Sequence, residues 1–287
     1  MCAVSAPERP KPHIALIVLT RDAAATLPRC IASAQGLVTS VLVVDSFSTD
    51  DTPRVARQHG AVVLQRPFIN YGDQRNWASA RTAPGTEWIL HLDADEYLTP
   101  QLASEIAARL SRDPGDTAGF LMRRRMVFLG REMRYGGMGG TWHLRLYRVN
   151  RGRCEGRRYD QHFIADGPVQ RLRGFFIDDD RASLEDWVSR HNRWSSAEAE
   201  EILDPSPGAG RVEPRLAGSP IHRKRWLKDR VWGRLPLLWR PFAYFLYRYF
   251  LRLGFLDGRE GLIFHVLQGF WFRFLVDSKA YERSRSV

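Results

Sequence analysis

Uninterrupted apolar blocks alternate with stretches of mixed polarity along the first hundred positions. Residues 13–19 and 40–44 are continuous apolar runs, 61–64 is a shorter one, and 88–92 repeats the pattern. Runs of this kind predict strands buried on both faces of a parallel sheet, because a strand with one wet face would alternate instead. Between them the chain predicts helices. One runs over 23–34 with Asp22 as its cap and Pro28 interrupting it, a short one ends at His59, and one covers 72–83 with Trp77 and Ala80 facing inward. Four strand–helix units in so short a span predict a doubly wound α/β sheet.

After residue 98 the pattern changes. Thr99 and Pro100 read as N-cap and first helical residue of a helix reaching Leu110. Strands are expected over 117–128 and 142–149, separated by the glycine-rich stretch 136–140. Ser183 is placed to cap a helix through Trp187, His191 and Trp194 to about Ile202. Residues 203–220, rich in Pro and Gly, read as a linker. The expected organisation is therefore a catalytic-type domain over 1–204 and a C-terminal region over 205–287.

Charge changes the picture of that C-terminal region. The 287 residues carry a net charge of +11, with 16 Lys/Arg against 6 Asp/Glu after position 204 and 27 against 26 before it. At 100° per residue, Arg240, Tyr244, Arg248 and Arg252 fall on one side of a helix and Phe242, Phe245, Leu246, Tyr249 and Leu253 on the other. A basic, aromatic, amphipathic helix of this kind predicts contact with an anionic membrane surface, aromatics in the interface and arginines among head groups. The alternative is a second core layer folded onto the domain, which Trp226, Trp232 and Trp239 suit equally. No zinc-finger or helix-turn-helix pattern accompanies the charge, so no nucleic-acid partner is expected. Three scattered cysteines, Cys2, Cys30 and Cys154, give neither a zinc spacing nor a disulfide framework. With an N-terminus lacking an apolar run, they predict a reducing, cytoplasmic setting.

Candidate chemistry gathers where ligands bind in open α/β sheets, beyond the carboxyl ends of the strands. Thr20, Asp45 and Asp93 all stand at such ends. In Leu92-Asp93-Ala94-Asp95-Glu96, residues two apart leave a strand on one side. Asp93 and Asp95 are thus placed to share a hard cation, Mg²⁺ or Mn²⁺, which also binds diphosphate oxygens and stabilises a leaving group.

Together, residues 17–22, residues 43–52 from Val43-Val44-Asp45 onward, and the Asp93-Ala94-Asp95 segment resemble the ordered signatures of family 2 glycosyltransferases. Gln74-Arg75-Asn76-Trp77-Ala78 resembles the element that precedes the carboxylate pair there, and the tail residues Arg248-Tyr249, 254–258 and Gly261 resemble the ends of bacterial members that extend lipopolysaccharide core or exopolysaccharide. The resemblance implies a GT-A fold, Rossmann-like with a mostly parallel central sheet and flanking helices, followed by a C-terminal helical extension. It further implies an inverting enzyme that takes a nucleotide-sugar donor, UDP-linked by preference, to a lipid-linked saccharide acceptor on the inner face of the cytoplasmic membrane. Thr20 and Asp45 would contact base and ribose, although Ser46 stands where a second acidic residue is usual. Arg75 would reach the diphosphate or sugar, or else be a solvated helix charge. Asp93 would lie near the donor ribose or sugar and Asp95 would hold the metal, with Glu96 behind them or capping the turn.

Inversion requires a base on the face opposite the diphosphate. The candidate segment is 159–163, where Gln161 takes the place of the expected acid, so Asp160 is the candidate base and His162 the alternative. Asp178-Asp179-Asp180 reads as a solvated charge run. Rival readings are a sugar nucleotidyltransferase, which lacks its glycine-rich phosphate loop here, an inactive scaffold of the same fold, and a basic membrane- or nucleic-acid-binding protein.

Overall fold

The computed structural model describes residues 11–112, 114–157, 160–204, 226 and 236–285. The linker expected over 203–220 lies outside them beyond Asp204, as do Tyr159 and Trp232. The apolar runs form β1 (Ile14–Thr20), β2 (Ser40–Asp45), β3 (Val62–Gln65) and β4 (Trp88–Asp93); contrary to expectation β3 is not buried on both faces, because it is the edge strand, with Val62 61% exposed. These pair in parallel in the order β3-β2-β1-β4. The sheet then continues through β8 (Thr141–Arg148), β6 (Gly119–Phe128), β11 (Val169–Asp179) and β5 (Glu96–Leu98), with β7 (Arg131–Met133) folded back on β6. In this second half β8 is antiparallel to both β4 and β6, β11 is parallel to β6, and β5 is antiparallel to β11. The expected mostly parallel order thus holds for one half of a mixed sheet, because the chain returns by hairpins rather than helical crossovers after residue 118. Beside the sheet, β9 (Gly152–Cys154) and β10 (Phe163–Ala165) make a small two-stranded flap.

The helices follow their caps. α1 is shorter than the pattern predicts, Leu27–Ser33, because Pro28 suits the first turn of a helix and no later position. Asp22 is not its cap; it accepts instead from the Thr49 amide at 2.7 Å, tying two site loops together. α2 (Thr52–Gln58) follows, and α4 (Pro100–Ser111) starts at Thr99, whose hydroxyl accepts from the Leu102 amide. α5 (Leu184–Leu203) is capped by Ser183. α3 (Tyr71–Ser79) turns Gly72, Gln74, Arg75 and Ala78 inward; Trp77 is half-buried against the core beneath it, as expected, whereas Ala80 is exposed. The helix sits so close to the flap that a Cβ on Gly72 would stand 2.2 Å from the Glu155 carbonyl oxygen.

One apolar core lies on the α1, α4 face of the sheet, built on Leu16, Val18, Leu90, Phe120, Leu146 and Phe176. The other lies between the sheet, α3 and the flap, with Ile17, Ile89, Leu121, Leu144, Tyr147 and Phe163.

The C-terminal region is folded onto the domain. A helix over Arg240–Leu246 runs into a π-helical turn, Tyr247–Leu251; after a short 3₁₀ turn, Gly254–Asp257, helix resumes at Gly258–Phe264 and passes through a second π-helical segment, His265–Trp271, into Phe272–Arg285. Phe264 packs with Phe128, Met133 and Trp187 at the end of β6, and Phe272, Val276 and Ala280 are buried along the same helical run. The amphipathic helix is oriented opposite to expectation on its basic side. Arg240 is paired with the buried Asp277, its Nε 2.8 Å from Oδ1, and Arg248, only 4% exposed, donates to the Gly136 carbonyl at 2.8 Å. Outward face Phe242, Leu246 and Phe250, each about half exposed, and Leu251 at 77%. Among the described residues no helix is long and apolar enough to cross a membrane.

Candidate functional site

Thr20, Asp45 and Asp93 close β1, β2 and β4 side by side, since the parallel register aligns Thr20 with Asp45 and Leu19 with Asp93. Asp45 is wholly buried. Its carboxylate accepts from Thr20 Oγ1 (3.2 Å), the Ser48 amide (3.1 Å), Ser48 Oγ (2.5 Å) and Gln65 Nε2 (3.1 Å). Four donors match the capacity of a carboxylate, so here Asp45 organises the loop that follows it. The next polar group is Gln74 on α3, whose amide donates to Ser46 Oγ at 3.0 Å and whose Oε1 is buried with no partner among the described residues. This side chain, its amide nitrogen on Ser46 where a second acid was expected, is a site feature the sequence reading did not single out.

At the end of β4 two guanidiniums hold Asp93: Arg75 reaches Oδ1 at 2.7 Å and Arg145 reaches Oδ2 at 3.0 Å. Arg145 also binds the buried Glu96 at 2.5 Å, and Glu96 accepts from the Asp93 amide at 2.9 Å, so Glu96 is both cap and counter-charge. Burial pushes the Asp93 carboxyl up, but Arg75 and Arg145 more than offset it and hold it well below the usual carboxylate range. For Glu96 the balance is reversed. Burial, with Asp93 and Asp178 nearby, outweighs Arg145 and pushes it up to about 7.

Asp95 is different in kind. Burial raises its carboxyl well above the ordinary value, and Asp178, Asp93, Glu96 and Asp180 add to the rise in that order. Among the described residues its carboxylate makes no hydrogen bond or ion pair, although Arg29 and Arg181 line the same cavity. The register explains the company it keeps: β5 pairs with β11, Asp178 lies opposite Glu96, and the Asp179 amide donates to the Asp95 carbonyl at 3.0 Å. The triplet Asp178-Asp179-Asp180 is therefore not a solvated charge run. It ends β11 against the carboxylate pair, Asp178 paired with Arg124 at 3.1 Å and Asp180 with Arg190.

The candidate base lies elsewhere. Asp160 is on the loop between β9 and β10 in left-handed backbone (φ 56°). His162 belongs to that loop and is engaged with the fully buried Glu155, which accepts from the His162 amide at 2.8 Å and lies 3.3 Å from its Nδ1.

The donor set fits a hard divalent cation: an uncompensated carboxylate on Asp95, surrounded by four more acids, is the electrostatic deficit such an ion fills. Among the described residues no group of three or more His, Cys, Asp or Glu is arranged to hold an ion unaided. Both Asp93 oxygens already face arginines, so Asp95 is the better-disposed of the two carboxylates.

Residues 15–168, more than half the chain, match the family model described as glycosyl transferase family 2. An uncharacterized glycosyltransferase of Rickettsia typhi is 24% identical over 96% of this chain and 89% of its own length. One of Rickettsia felis is 41% identical over a segment that is 32% of each protein, so the chain matches about a third of that relative. Among solved structures, S. aureus TarS 1-349, determined in complex with UDP-GlcNAc, is 15% identical with a TM-score of 0.48, over 95% of this chain and 92% of that one. With the family model spanning the strand ends at Thr20, Asp45 and Asp93, the chain belongs to glycosyl transferase family 2 and is a glycosyltransferase.

Proposed function

We propose that the protein moves a sugar from a UDP-sugar to a lipid-linked saccharide, in lipopolysaccharide or exopolysaccharide assembly, by metal-assisted inverting displacement at the cytoplasmic face of an anionic membrane. The observation that carries the donor half is the unpartnered Asp95 carboxylate among Asp93, Glu96, Asp178 and Asp180. In this reading Asp95 holds Mg²⁺ or Mn²⁺, which supplies charge neutralisation to the departing diphosphate. Asp93 lies toward the donor ribose or sugar. Arg75, anchored by Asp93, faces the diphosphate, and Thr20 and the loop that Asp45 organises, with Gln74 behind Ser46, receive the nucleoside. Asp160 takes the proton of the acceptor hydroxyl. The position of Asp178 and Asp180 beside Asp95 favours a second reading in which the acid at the end of β11 does so.

The membrane half rests on the inverted C-terminal helix. Arg248 is turned to the domain and Arg240 to Asp277, while Phe242, Leu246, Phe250 and Leu251 face solvent beside the exposed Arg252, an arrangement that costs free energy unless something apolar covers it. A lipid interface does so and brings a lipid-linked acceptor to the site.

Calorimetric titration with UDP tests the donor half. Binding is expected with Mn²⁺, tenfold or more weaker without it, and lost in Asp95→Ala. Binding of GDP instead of UDP would move only the base assignment, whereas no nucleotide binding with any metal would remove the donor reading. Vesicle co-sedimentation tests the other half. Anionic vesicles should retain the protein and lose the Leu246→Glu/Phe250→Glu variant; equal retention of both would leave the apolar face without this role.

A further inference from the structure

On the flap side of the sheet, beyond the donor site, three strands place an unusual row in register. Trp142 on β8 lies opposite Arg123 on β6, and Arg123 lies opposite Phe175 on β11. The Arg123 guanidinium stands 4.9 Å from the centre of the Trp142 ring and 5.6 Å from that of Phe175. A second guanidinium, Arg171, stands 5.1 Å from the same indole, and Arg125 lies 3.6 Å over Phe175.

Several neighbouring arginines in this part of the sheet face acids. Arg75 and Arg145 face Asp93, Arg124 faces Asp178, and Arg125 has Glu132 at 3.4 Å. Arg123 and Arg171 face no carboxylate among the described residues, although two like charges on one ring repel. A guanidinium stacked on an aromatic face keeps its N–H edge free for a planar anion, and the ring face itself suits the C–H face of a sugar.

The row adjoins the reaction centre. Trp142 packs against the cluster containing Phe163, over whose ring Arg75 and Arg145 both lie. Along β8 it is three residues from Arg145, roughly 10 Å. The glycine-rich loop closes over it: a Cβ on Gly140 would stand 3.3 Å from Arg123 Cδ and 3.5 Å from the Phe175 ring.

We propose that this row is the acceptor subsite and that the acceptor is an anionic saccharide, its phosphate or carboxylate held between Arg123 and Arg171 and its ring against Trp142. The assignment rests on the glycosyltransferase reading for its purpose, but its chemistry is separable from the donor site. The test is titration of the full chain, saturated with UDP and Mn²⁺ so that the diphosphate position is filled, with glucose 6-phosphate, glucuronate and methyl α-glucoside at constant ionic strength. At least one anionic sugar is expected to bind about tenfold more tightly than the neutral glycoside. Arg123→Gln and Arg171→Gln should each abolish that preference while leaving UDP binding intact. Preference for glucose 6-phosphate identifies a phosphate on the acceptor, and preference for glucuronate a carboxylate. Equal binding of charged and neutral sugars, no binding of either anionic sugar at millimolar concentration, or an unchanged preference in both variants overturns the proposal. Failure of the wild-type chain to bind UDP strikes the donor reading instead, and the sugar titrations run without nucleotide still decide this one.

Discussion

Arg145 donates to Asp93 and to Glu96 from a single nitrogen; the Asp93 side chain is 34% exposed, but that of Glu96 is buried at 2%. Removing a guanidinium from such a group leaves buried charge behind, which costs about 3–5 kcal/mol when a buried pair is broken. Arg145→Ala is therefore expected to lower unfolding free energy by about that much in urea titration, and Arg145→Lys, with no fork to serve two acids, to recover only part. An unchanged denaturation midpoint in Arg145→Ala would mean that the acids do not depend on it. Asp93 and Asp95 were legible in the sequence because two acids at strand spacing follow a buried run. Arg145 was not singled out, although a lone cation in the otherwise apolar centre of a strand is a signal that it has a partner. Asp178 had no such local mark. It reaches Asp95 through the pairing of β5 with a strand that arrives some eighty residues later, and pairing of distant strands is invisible to periodicity.

At the scale of elements, the four apolar runs became four parallel strands because continuous apolar sequence has few other homes, although β3 lies at the exposed edge. The helices were less legible where polarity served the site. α3 turns Gln74 and Arg75 inward, against the rule that apolar residues face the core, and the C-terminal helix turns Arg240 and Arg248 inward and Phe242 and Phe250 outward. Hydrophobic periodicity reports that a helix has two faces but not which one meets protein. The glycine-rich connection between β7 and β8 owes its composition to the same docking. Gly136 has φ 64°, and a Cβ there would stand 2.0 Å from the His265 ring. Gly136→Ala should thus pay both for left-handed backbone and for displacing a buried ring, on the order of 2–4 kcal/mol. Thermal unfolding of that variant beside Gly137→Ala, where nothing lies within 4 Å of the added carbon, separates the two contributions. Equal losses would assign the whole effect to backbone conformation.

For the whole molecule, acid stability follows from histidines on both sides of the junction between domain and tail. Burial, with Arg190 and Arg273 adding to it against the Trp187 carbonyl, lowers His191 to about 4; burial and Arg248 lower His265 to about 4 as well. In an unfolded chain histidine titrates near 6.5. Between those values the unfolded state binds more protons than the folded one, so stability is full above about pH 6.5 and falls as the pH drops toward 4. Allowing for partial solvent access, each contributes roughly 1–2 kcal/mol. The melting temperature should accordingly drop between pH 7 and pH 4.5, and His191→Gln should flatten part of that slope; a flat profile in the wild-type chain would contradict the neutral, buried assignment.

The division at residue 204 that composition suggests is a division of sequence, while the tail's helices share a core with the end of β6. Asp257, itself buried, accepts from the amides of Arg134 at 3.1 Å and Tyr135 at 3.0 Å, and the Gly136 amide donates to the Arg252 carbonyl at 2.9 Å. Three consecutive backbone amides of the β7–β8 connection thus have their acceptors on a segment more than a hundred residues later. Those three protons can exchange with deuterium only when that segment lifts away, which makes them a clock for its undocking: their exchange rates would register how long a lipid surface holds the tail in place.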